Sequence, residues 1–204
     1  MRGRLKPFRR CEGGATAVEV GLLGGVFAML MGGAVEIGLY YHAHNAAQAA
    51  ARHGARLAAT GEPVSLWLDT YKGLGGGVKA GDPLPDYAVE CDGRTARCTQ
   101  GGYSTDGMAR LVFGPDGVGC GETEKRRRGM CGLAAGLEAA NVRVRYENSG
   151  LGTAGSPADP VPLITVTVSG LTHDFIFLDR VMPGVRTLGE VSASVVAEGL
   201  ETGA

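Results

Sequence analysis

Two sets of residues in this 204-residue chain have types and spacings suited to specific chemistry. The first is Glu19, a carboxylate at the start of an apolar run, shortly after Gly14-Ala15. If the chain is cut after Gly14, the new α-amine on Ala15 stands one helical turn from Glu19 and can pair with it. A lone carboxylate costs about 2.5–3.5 kcal/mol at the centre of a membrane helix and less near its end, where it snorkels to headgroups. The second set is the cysteines: Cys11, Cys91, Cys98, Cys120 and Cys131. Loss of residues 1–14 removes Cys11 and leaves an even four. In an oxidising compartment these read as two disulfides, with three connectivities open. Cys91–Cys98 and Cys120–Cys131 are favoured, because a hairpin and a short loop bring each pair close. Each closure contributes on the order of 2–3 kcal/mol. Zinc is the rival, but C-x6-C and C-x10-C depart from the C-x2-4-C spacing of zinc knuckles.

The remaining reactive side chains form no catalytic set. HExxH, G-x-S-x-G and CxxC are all missing, and Gly73–Gly77 lacks the GK[ST] ending of a phosphate loop. Glu122 and Glu124 lie beside cations in a polar loop, poor ground for raising an acid's pKa. His42 and His44 are two apart and do not share a helix face, so with His53 they read as polar helix residues and not as a metal site. Lys125-Arg126-Arg127-Arg128 reads as a solvated loop, or as a docking patch for an acidic partner or headgroups. The expectation is a protein that is not an enzyme and takes no cofactor or metal. Lys+Arg total 20 and Asp+Glu 21, a balance that argues against nucleic-acid binding.

These residues are positioned by a strongly polarised N-terminus. Residues 1–14 carry Arg2, Arg4, Lys6, Arg9 and Arg10 against one acid, Glu12. Val20–Val35 then runs sixteen residues without a charge, a rise of about 24 Å. The hydrocarbon core is about 30 Å thick, and flanking residues up to Tyr40-Tyr41, an interfacial aromatic pair, close the gap. The basic leader predicts a cytoplasmic N-terminus and an exported C-terminal part. No clean signal-peptidase site follows Val35. Alanine-rich sequence continues without a breaker until Gly61 and Pro63, so one helix is expected over Ala15–Ala59, the first half in lipid. Ala17, Gly21, Gly25, Ala28 and Gly32 fall on one narrow stripe that admits close helix packing, with Glu19 roughly opposite.

Beyond the helix, 61–82 reads as a short helix around Val64–Tyr71 and a Gly-rich linker. The period then becomes two. Strands are expected at Asp86–Cys91, Arg94–Thr99 and Arg110–Phe113, with Asp92-Gly93 as a hairpin turn. Further strands are expected over Val142–Tyr146, Ile164–Val168, around Phe175 and Phe177, and over Glu190–Ala197, with a loop at 150–160. The predicted fold is α+β: a long helix, transmembrane in its first half, packed on an antiparallel sheet domain spanning 83–204.

The ordered set Gly14, Ala15, Val18, Glu19, Val35, Glu36, Ala50, Ala51, Arg52, Gly54, Ala55 and Arg56 resembles the TadE-like pseudopilins of tight-adherence (Tad/Flp) pili. The family's aromatic after the first Glu is Val20 here. "PLITVTVSG" and "LGEVSASVVAEGL" also look like the terminal strands of such proteins. The resemblance implies cleavage between Gly14 and Ala15 by a prepilin peptidase, and a single-pass inner-membrane protein with a periplasmic domain. It further implies association with other pilins and a part in pilus assembly and adhesion. The alternative is an uncleaved, membrane-anchored periplasmic binding module.

Overall fold

A computed structural model describes residues 13–115, 120, 129–155, 160–176, 179 and 187–197, with no side-chain description for residues 13–16. The leader through Glu12, Cys11 included, and Glu122, Glu124, Lys125–Arg128 and Phe177 lie outside the described residues. The chain divides into two compact units. One comprises Met1–Leu39 with Phe175–Val185; the other comprises Tyr40–Asp174 with Arg186–Ala204.

Helix α1 runs over Gly13–Thr60, 48 residues, one continuous element as the alanine-rich sequence requires. In the larger unit its C-terminal part buries Ala47, Ala50, Ala51, Gly54, Ala55, Ala58 and Ala59. That spacing of three and four marks one helix face. The face carries only Ala and Gly, so the backbone comes close to what it packs on. A Cβ built on Gly54 would lie 2.4 Å from Met130 Sδ.

The opposing layer is a five-stranded antiparallel sheet of order β2-β1-β3-β4-β5. The strands are β1 Ala88–Asp92, β2 Arg97–Cys98, β3 Val142–Leu151, β4 Val161–Val168 and β5 Val191–Val196. Alternation sets the faces. Val89, Cys91, Val142, Val144, Tyr146, Ile164, Val166, Val168 and Val191 join the alanine face of α1 in one core. The other face is polar: Arg143 pairs with Glu90 at 3.3 Å and Asp92 at 3.6 Å, and Arg145 pairs with Glu147 at 2.6 Å. These pairs are half exposed and contribute little stability.

Three expectations need correction. Arg110–Phe113 is not a strand but the last turn of helix α3, Thr105–Phe113. The Ser104 hydroxyl caps this helix by accepting the Gly107 N–H at 3.0 Å, and Met108, Leu111 and Val112 are buried at helical spacing. The β1–β2 hairpin exists, but Asp92-Gly93 is not a two-residue turn. Asp92 pairs with Arg97, so Gly93–Ala96 form a four-residue loop. The Asp92 carboxylate organises it by accepting the Arg94 N–H at 2.7 Å. Gly93 is demanded by close approach, since a Cβ there would lie 2.0 Å from the Ala139 carbonyl oxygen. Phe175 belongs to no strand of the sheet; nearby, Thr172 makes an isolated bridge to Thr187.

The remaining expectations map more directly. The short helix is α2, Leu66–Thr70. Strands β3, β4 and β5 cover the alternating runs at Val142, Ile164 and Val191. Gly73–Gly77 is a turn region in which Gly75 bridges Val78, and Gly73 itself is buried.

Candidate membrane and assembly site

The N-terminal part of α1 has the reverse of the core pattern. Its large apolar side chains face outward, among them Val20, Leu23, Phe27, Leu30, Val35 and Leu39, with Leu23 71% exposed. One helix among the described residues is long and apolar enough to cross a membrane, and it is this one, Ala17–Thr60. A surface this apolar is stable only against lipid or other protein.

Glu19 is exposed on this helix, four residues after Ala15, so both positions lie on one helical face. Ala17, Gly21, Gly25 and Ala28 are exposed and Gly32 is half-buried. A Cβ on Gly21 or Gly25 would meet no atom of the described residues within 4 Å. Packing among the described residues therefore does not require glycine at either position.

The carboxylate that the fold does bury is Glu36, 4% exposed. Its Oε1 accepts the backbone N–H of Ile176. In the sequence Glu36 stood only as one of the residues of the TadE-like set. The available signal was its position, directly after sixteen uncharged residues.

The cysteines pair as Cys91–Cys98 and Cys120–Cys131. The first bond joins residues directly opposed on β1 and β2. The second joins residues eleven apart in sequence and ends beside Met130, the side chain set against Gly54. Among the described residues no group of His, Cys, Asp and Glu is arranged to hold a metal ion. His42 is exposed, while His44 and His53 are half-buried on α1.

Residues 14–56 match the family model for TadE-like proteins. The match begins at Gly14, runs through the outward-facing apolar helix and ends on the alanine face that meets the sheet domain. The TadE-like segment thus holds Glu19, the small-residue stripe, Glu36 and Gly54, and it suggests involvement in a Tad pilus. No curated protein and no solved structure matches the chain.

Proposed function

We propose that this protein is a minor pseudopilin: a prepilin-peptidase substrate that, once cut between Gly14 and Ala15, joins other pilins of a Tad/Flp-type system and promotes assembly. The TadE-like match carries this reading, because it starts at Gly14 and covers the helix with the outward-facing apolar surface. The chain sits in the inner membrane with its N-terminus cytoplasmic, supported by the five basic residues of the leader. Its sheet domain is periplasmic, where disulfides persist. Cleavage creates the Ala15 amine, and Glu19 neutralises that amine on its own or a neighbouring helix. The small-residue stripe lies roughly opposite Glu19, so one helix meets two neighbours by different means.

Intact mass and N-terminal sequencing of the protein extracted from cells with active prepilin peptidase test this. A chain beginning at Ala15 is expected. A chain beginning at Met1 in those cells overturns the pseudopilin reading in favour of a permanent anchor for a periplasmic binding module.

A further inference from the structure

The compact unit built on the N-terminal helix contains a second piece of chain, Phe175–Val185, from far along the sequence. Seven of its eleven residues are Phe, Ile, Leu, Val or Met, and its two charges, Asp179 and Arg180, are adjacent and opposite. Ile176 is 73% exposed, the highest value among the exposed large apolar side chains described. It belongs to neither helix nor strand. Its backbone N–H is donated to Glu36.

That hydrogen bond fixes a depth. Glu36 is flanked along α1 by Val35, Ile37 and Leu39, all exposed and apolar. Any element bonded to Glu36 therefore meets the helix within its apolar length. In hydrocarbon, an unpaired N–H costs several kcal/mol and an unpaired carboxylate is also costly. The Glu36–Ile176 bond pairs that N–H with that carboxylate, so each lessens the cost of the other at this depth. The Ile176 side chain itself is left exposed.

We propose that Phe175–Ile176 is a second lipid-contacting element, which enters the outer leaflet alongside α1 and is held there by Glu36. The occupant of this surface is acyl chain. The inference rests on the reading of α1 as a membrane helix.

The test uses the full chain carrying Cys11→Ser, in vesicles of phosphatidylethanolamine and phosphatidylglycerol. Single nitroxide labels are placed through Ile176→Cys, Leu30→Cys and Thr165→Cys. Collision with oxygen reports lipid, and collision with a water-soluble nickel chelate reports solvent. The oxygen-to-nickel ratio at 176 is expected to resemble that at 30 and to exceed that at 165 several-fold. A ratio at 176 equal to that at 165, with 30 still in lipid, overturns the proposal alone. An aqueous ratio at 30 overturns the membrane helix and the proposal together. As a label-free check, Ile176→Trp in a Trp67→Phe chain should be quenched by lipids brominated on their acyl chains; absence of quenching counts against acyl contact.

Discussion

The Tyr146 hydroxyl accepts the backbone N–H of Val64 at 2.9 Å, with both residues fully buried. This bond ties the segment after α1 to the middle of β3. Val64 is held from its other side too, because its carbonyl accepts the Ser104 N–H at 2.8 Å. Tyr146→Phe keeps the ring and strands the Val64 N–H. The expected loss is about 1–3 kcal/mol, read from denaturant unfolding of the detergent-solubilised chain. An unchanged midpoint would mean that the N–H finds another acceptor.

Tyr87 poses the opposite case. Its ring lies 5.1 Å from Tyr71 and 5.7 Å from Trp67, but its buried hydroxyl has no hydrogen-bond partner among the described residues. Tyr87→Phe keeps those ring contacts and deletes a hydroxyl that gains nothing. Stability at neutral pH should hold or rise, and a clear fall in the unfolding midpoint would contradict this.

The same residue sets an alkaline limit. Burial, with a smaller contribution from Tyr71, pushes the Tyr87 phenol up from 10.0 to about 12. Burial also raises the Tyr146 phenol, against the opposing effect of its Val64 hydrogen bond. A phenol whose pKa is raised in the folded state binds its proton more tightly there. Its contribution is complete below pH 10 and drains away as pH climbs through the folded value. Unfolding stability should therefore decline between about pH 10 and 12, and the decline should be shallower in Tyr87→Phe. Equal slopes in the two proteins would rule out Tyr87 as a source.

Gly54 separates helix propensity from packing. An exposed Gly-to-larger change in a helix gains up to about 1 kcal/mol. Here a side chain meets the Met130 thioether and must displace it. Gly54→Leu is expected to cost about 1–3 kcal/mol by overpacking. Adding Met130→Ala should recover part of that loss, and strict additivity in the double mutant would show that the two sites do not share space.

Glu19 and the stripe make separable predictions in vivo. Glu19→Ala should reduce pilus assembly far more than membrane insertion, since losing one partner of a buried pair costs about 3–5 kcal/mol. Gly21→Leu with Gly25→Leu should impair co-purification with partner pilins. Wild-type piliation in the first strain would remove the amine–carboxylate pairing; intact co-purification in the second would remove the packing stripe.

Much of this architecture was legible from local pattern. The apolar run and the alanine-rich stretch require one helix. The strict alternation at Val142–Tyr146 and Ile164–Val168 requires half-buried strands. Short apolar runs were less reliable. "RLVF" at 110–113 fits either period, and the deciding signal, Ser104 as a cap, stood six residues upstream of Arg110. The Asp92-Gly93 pair resembles a tight turn, but Gly93 serves a close approach to Ala139 that is set by tertiary packing. The partner of Glu36 was out of reach, because Ile176 is 140 residues away and in no regular element.

The hairpin strand β2 is two residues long, and one of them is stapled through Cys98 to Cys91. So brief and tethered a border offers almost no free backbone for a foreign strand to zip onto. At that strand the sheet presents little template for edge-to-edge extension. Copies of the chain brought close together therefore run little risk of β-aggregation through that border.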